Sequence, residues 1–177
     1  MTVKRVMRVS RWLRLACTIN MLAIPLLFSC AVLSGEFTAH AITDAHPDLR
    51  IDTPPGLWAV ITYIVIEALL AVVALYVLWQ MRALFGGYAQ GEVLTVDSAR
   101  RLLRSGRGLL TLAATGVLAH SVQTVLLSAG NAPGQRQLSI TLSDADLGFL
   151  LCGGLLLVVG WAMVEAAHVA EENRGFV

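Results

Sequence analysis

Residues 57–79 read LWAVITYIVIEALLAVVALYVLW, an apolar run whose one charge is Glu67. At about 1.5 Å per residue, a helix of this length crosses the roughly 30 Å hydrocarbon core of a bilayer. Three further runs have the same character: 12–33, 108–129 and 147–168. None alternates apolar and polar residues with period two, which argues against a β-barrel. In lipid each segment must satisfy its own backbone N–H and C=O groups, and that leaves helices. Composition points the same way, since 56% of the 177 residues are hydrophobic and 14% charged. A soluble domain would carry about a quarter charged residues, and a disordered chain would be polar and charge-rich. The expected fold is all-α integral membrane, one domain over 1–177 with four transmembrane helices.

The basic residues orient the threading. Lys4, Arg5, Arg8, Arg11 and Arg14 flank the start of the first span. Arg82, Arg100, Arg101, Arg104 and Arg107 lie between the second and third, and Arg174 follows the fourth. Only Arg50 and Arg136 fall in the other two connections, which carry the acids Glu36, Asp44, Asp48, Asp52, Asp144 and Asp146. The excess of Lys and Arg on one side predicts that both ends of the chain face the cytoplasm. Trp12, Trp58, Trp79 and Trp161 stand near the ends of the spans, where interfacial anchors belong. The first run is long for a cleavable signal peptide, and Phe28 suits the lipoprotein-like box Leu27-Phe28-Ser29-Cys30 badly. It is read as a retained span.

The connections carry stop and start signals. Pro54-Pro55-Gly56 precedes the second span, and Ser143-Asp144-Ala145-Asp146 offers caps to the fourth. Gly86-Gly87 is expected to break the run-out of the second span. Thr95, with Asp97 in the first turn, is expected to cap a short cytosolic amphipathic helix before the third. In that helix Val96, Ala99, Leu102 and Leu103 share one side, and Arg100, Arg104 and Arg107 another. Such a helix reads as a connector lying on anionic headgroups or as a docking surface for a cytosolic partner.

Ionisable residues at membrane depth are functional candidates by default. Glu67 and His120 fall at similar depth in the second and third spans and form the candidate intramembrane pair. Two readings stand: a proton relay or cation site, or a hydrogen-bonded pair that fixes helix packing with Glu67 protonated. Ala113, Gly116, His120, Gln123 and Thr124 form a small and polar stripe, and Gly153, Gly160 and Ala167 repeat every seven residues as a close-contact seam. Asn20 and Gln123 are expected to bond between helices. Glu165 and His168 read as an interfacial salt bridge, since a di-iron bundle needs two such motifs and further Glu residues. His40, Asp44, His46 and Asp48 read as a solvated acidic loop rather than a metal site. Cys17, Cys30 and Cys152 make no Cys-x-x-Cys. They read as buried thiols, with a Cys30–Cys152 disulfide as the alternative.

No phosphate loop, nucleophile elbow or zinc-protease motif occurs. No cofactor, metal or direct nucleic-acid binding is expected. Two stretches do have a family character. One is Leu84-Phe85-Gly86-Gly87-Tyr88-Ala89-Gln90-Gly91-Glu92-Val93-Leu94-Thr95, followed by Ala99-Arg100-Arg101-Leu102. The other is Glu165-Ala166-Ala167-His168-Val169-Ala170-Glu171-Glu172-Asn173, closing with Phe176-Val177. With four spans, they resemble the bacterial domain-of-unknown-function 2975 family of small membrane proteins. Leu94 departs from the Phe commoner at its position in that family. The resemblance implies an inner-membrane protein without assigned enzymatic activity. It also implies a cytosolic helix-turn-helix regulator as partner, by analogy alone.

Two functions are therefore expected. The first is a non-enzymatic regulatory or scaffold protein whose cytosolic surface comprises Arg100, Arg101, Arg104, Glu165, Glu171 and Glu172. The second is a small transporter or channel, assembled as a homo-oligomer, that uses Glu67 and His120.

Overall fold

The computed structural model describes residues 2–44, 46, 49, 51–92, 95–132 and 134–174, with side chains between 4 and 169. Five helices follow one another: α1 Thr2–Ser34, α2 Ala39–Asp44, α3 Leu57–Ala89, α4 Val96–Ser128 and α5 Asp144–Arg174. Four of them, all but the short α2, are long and apolar enough to cross a membrane. Each covers one of the four expected spans, α4 stopping one residue short of Ala129.

The long helices pack in chain order. α1 lies on α3, α3 on α4, and α4 on α5, while α1 and α5 barely meet. The chain thus makes an up-and-down row open along one side. The α4–α5 contact is the tightest. Gly106, Gly153 and Gly160 are buried there, and the missing side chains let the two helices touch. A Cβ on Gly106 would stand 2.9 Å from the Gly153 carbonyl oxygen, and one on Gly160 would stand 2.7 Å from Leu103 Cδ2. Small residues permit such approach, and dispersion between closely packed helices replaces the hydrophobic effect that lipid cannot supply. The expected seam of Gly153, Gly160 and Ala167 is buried along its length. On the outer faces the pattern inverts: Val65, Leu69, Val72 and Tyr76 on α3 and Leu151, Leu155 and Val158 on α5 are exposed, as lipid-facing side chains should be.

The helices outrun the spans, mostly at the basic end, where α1 begins and α5 finishes. α1 starts ten residues before Trp12, and α3 continues ten beyond Trp79. Gly86-Gly87 does not break α3, contrary to expectation. Both glycines stay helical, Gly86 against the Arg14 guanidinium and Gly87 near Ser98 Oγ. The helix stops at Gly91, whose φ of +90° suits a residue without Cβ. There the Gly91 N–H donates to Tyr88 O and the Glu92 N–H to Gly87 O, a Schellman closure.

The amphipathic connector is likewise not a separate element. Thr95 caps as expected, accepting from the Ser98 N–H at 3.2 Å. The helix it starts then runs without interruption to Ser128. Ser105, Gly106 and Gly108 are buried between α3 and α5, so this segment is packed into the row. Its predicted faces hold: Ala99 and Leu102 are buried, and Arg100, Arg104 and Arg107 are exposed.

Ser143 and Asp146 form a reciprocal capping box at the start of α5. Ser143 Oγ accepts from the Asp146 N–H at 3.2 Å, and Asp146 Oδ2 accepts from the Ser143 N–H at 3.0 Å. At the same end of the row, Asn131 Oδ1 accepts from the Asp52 N–H, and Thr53 Oγ1 donates to Gly130 O, tying the two loops together. α2 was not foreseen. It buries Ile42, and a chain of rings, Phe28, Phe37, Tyr63 and His46, joins α1 to α3 beside it at centroid separations of 5.7, 6.1 and 5.9 Å.

Candidate functional site

The open side of the row forms a groove of about 680 Å³. α3 and α4 make its floor through Glu67, Leu70, Ala71, Ala74, Leu112 and Gly116. α1 makes one wall with Ile24, Leu27 and Phe28, and α5 the other with Asp146 and Phe149. The groove exists because α1 and α5 hardly touch and because Ala71, Ala74 and Gly116 are small. Its lining is mainly apolar, with three carboxyl groups, Glu36, Glu67 and Asp146.

Glu67 is the deepest of the three. It stands nine residues along α3 from Trp58, roughly 14 Å at the helical rise. Gln123 on α4, buried, donates from Nε2 to Glu67 Oε1 at 2.8 Å. The Glu67 oxygen accepts this bond whether the carboxyl is charged or protonated. The amide therefore fixes the side chain without fixing its charge. Asp146 reaches the groove differently. Its Oδ2 is taken by Ser143, and its Oδ1 faces Gly116, 2.7 Å from where a Cβ would stand.

The expected Glu67–His120 pair is replaced by this Glu67–Gln123 pair. His120 lies on α4 three residues before Gln123, half-buried, and no hydrogen bond joins it to Glu67. Of the two amides expected to bond between helices, Gln123 does so. Asn20 instead donates to Ala16 O within α1. The reason is exposure: Asn20 sits on the lipid-facing side of α1, and its own backbone is the nearest acceptor. Sequence reading missed Glu36 and Asp146 as groove residues, since both were counted as loop acids. The Ser-x-x-Asp spacing revealed the cap, but the seat against Gly116 depends on the register of α5 against α4.

At the basic end Arg100 and Arg104 are exposed, while Arg101 is half-buried and paired with Asp97 at 2.7 Å. Glu165 and His168 are both exposed and no ion pair joins them, contrary to expectation. Water competes for both groups at that position. Glu171 and Glu172 lie in the last turns of α5, and their side chains fall outside those described. The three cysteines are free thiols, Cys17 half-buried, Cys30 exposed in the groove lining and Cys152 exposed, so neither the buried setting nor the disulfide holds for the latter two. Among the described residues no three His, Cys, Asp or Glu side chains gather closely enough to hold a metal ion. Asp48, of the acidic loop, lies outside the described residues.

Comparison with family models, curated proteins and solved structures finds no match to this chain.

Proposed function

We propose that this protein binds a small cation or a proton in its membrane groove and passes it along Glu67, as a small, non-enzymatic transporter or channel built from several copies of the chain. The observation that carries this reading is the seating of Glu67: in a mainly apolar groove on the open side of the row, held by Gln123, with Glu36 and Asp146 in the same lining. An intramembrane carboxyl costs several kcal/mol to bury charged, and a purely structural role would be served by an amide. Four helices are few for a complete path, which favours assembly. His120 keeps the part of a second titratable group on α4, acting beside the Glu67–Gln123 pair. The bacterial cytoplasmic membrane, with both chain ends inside, is the setting that the basic-residue bias and the family resemblance support.

The test is flux in proteoliposomes. A proton- or cation-dependent flux lost in Glu67→Gln and retained in His120→Gln is the expected outcome for Glu67 alone. Loss in both variants extends the path to His120. Equal flux in wild type and Glu67→Gln rules the reading out.

A second reading is favoured by the exposed Arg100, Arg104 and Arg107 in the first turns of α4, at the basic end of the row. In it the protein is a regulatory or scaffold protein holding a cytosolic helix-turn-helix regulator on its basic end, Arg101, Glu165, Glu171 and Glu172 completing the surface. Co-purification from native membranes tests it: a regulator retained by wild type should be released by Arg100→Gln/Arg104→Gln.

A further inference from the structure

A second, polar cleft of about 270 Å³ opens at the basic end between α1, α3 and α4. Three guanidinium groups from three different helices line it: Arg14, Arg82 and Arg101. Two are tethered through Nε alone, Arg82 to Thr18 Oγ1 at 2.9 Å and Arg101 to Asp97 Oδ2 at 2.7 Å. A guanidinium carries five N–H donors in a planar fork. Each tether therefore orients the fork and leaves most of its donors for something else. The Arg14 guanidinium makes no hydrogen bond or ion pair among the described residues, and it packs over Gly86, 3.9 Å from where a Cβ would stand.

The acids in the cleft do not balance these charges. Asp97 is taken by Arg101, and no ion pair among the described residues engages Glu92. The three cations and two acids leave an excess of positive charge around Arg14 and Arg82. The α4 N-terminus, capped by Thr95, adds its own partial positive charge beside them.

Depth supplies an independent pointer to the ligand. Trp12, Trp79 and Trp161 are 70%, 54% and 59% exposed on three helices and face outward near the basic end. Such a belt marks the headgroup level. α1 and α3 run in opposite directions, so Arg14 lies two residues to the span side of Trp12 and Arg82 three residues beyond Trp79, and the cleft straddles the tryptophan level, where headgroups lie. Arginine forks match phosphate oxygens two at a time.

We propose that this cleft binds the phosphate diester of a phospholipid headgroup through Arg14, Arg82 and Arg101, and that Glu92 selects a headgroup bearing an amine. The phosphate meets the three forks, and the ammonium of an ethanolamine headgroup meets the one acid they leave unpaired. The site is separate from the groove and does not depend on its function.

Full-length protein, purified in detergent and stripped of co-purified lipid, is titrated with short-chain phosphatidylethanolamine, short-chain phosphatidylglycerol and inorganic phosphate. Binding is read by native mass spectrometry and by the shift in thermal unfolding. Wild type should bind one equivalent of the ethanolamine lipid more tightly than the glycerol lipid. Arg14→Gln/Arg82→Gln should weaken both by tenfold or more. Glu92→Gln should erase the difference between them while binding persists. Arg82→Lys, which keeps the charge and loses the fork, should bind with intermediate affinity and guards against a folding artefact, as does unchanged helix content in every variant. Unchanged binding in the double variant, or no lipid bound by wild type, overturns the site. Arginine-dependent binding of inorganic phosphate without lipid assigns it to a free anion and overturns the lipid. Equal affinity of wild type for the two lipids overturns the role of Glu92.

Discussion

Gly106 on α4 and Gly153 on α5 meet backbone to backbone: a Cβ on Gly106 would stand 2.9 Å from the Gly153 carbonyl oxygen, and one on Gly153 would stand 3.0 Å from that of Gly106. Neither carbonyl can move without disturbing its helix, so any side chain there pries the pair apart. The next residue, Gly154, has nothing within 4 Å of its own Cβ position. This contrast makes a local test. Gly153→Ala should lower stability by about 1–3 kcal/mol through overpacking, partly offset by the better helix propensity of Ala. Gly154→Ala should be neutral or stabilising. Thermal unfolding in detergent, followed by far-UV circular dichroism, compares the two. Equal behaviour would mean that α4 and α5 do not cross at this pair.

The seam was legible in the sequence, and the reason is physical. A heptad repeat of small residues, Gly153, Gly160 and Ala167, describes one face of one helix, which is local information. The partner residues Gly106 and Leu103 were not legible as partners, because which turn of α4 meets which turn of α5 depends on the loop between them. The same division runs through the chain. Hydropathy identified four spans, since each must be apolar on its own. It could not give the helix ends, because Gly86 and Gly87 remain helical only where Arg14 and Ser98 pack against them. It gave Glu67 as an ionisable residue at depth. It did not give Gln123 over His120 as the partner, a choice set by about 60° of rotation and about 4.5 Å of rise along α4.

The Glu67–Gln123 bond yields a second prediction. Gln123→Leu removes the donor and leaves Glu67 without its interhelical partner. Glu67→Gln keeps an acceptor oxygen and so should preserve the bond. A double-mutant cycle between Gln123→Leu and Glu67→Leu should return a coupling of about 0.6–1.7 kcal/mol, the range of interhelical hydrogen bonds in membranes. Substituting His120 by Leu in the same cycle should give a coupling near zero, since no bond joins it to Glu67. A larger coupling for His120 than for Gln123 would restore the pair expected from depth alone.

The start of α5 offers a third. Ser143 and Asp146 satisfy each other's backbone N–H groups, and Asp146 also lines the groove. Ser143→Ala removes the accepting hydroxyl and should cost about 1 kcal/mol, the usual worth of a cap. Asp146→Asn retains an oxygen for the Ser143 N–H and should cost less. If Asp146 also meets a cation in the groove, Asp146→Asn should reduce cation affinity while Ser143→Ala spares it. Stability and binding thus separate the two jobs of one carboxylate, and a fall in cation affinity for Ser143→Ala would tie the groove's ligand to the cap itself.

Orientation is the last expectation to be tested, because every role assigned to the basic end depends on it. Basic residues gather where α1 begins, where α3 meets α4 and where α5 ends, and the row brings these three places to one end. The positive-inside bias then predicts that Arg104 faces the cytoplasm and Arg136 the opposite side. Both side chains are exposed, so single cysteines at these positions, in a chain lacking Cys17, Cys30 and Cys152, can be reached by reagent. In intact cells a membrane-impermeant maleimide should label Arg136→Cys and leave Arg104→Cys unlabelled until the membrane is opened. The reverse pattern would turn the row over. It would put the proposed phosphate cleft in the outer leaflet, and a cytosolic regulator could then no longer meet Arg100 and Arg104.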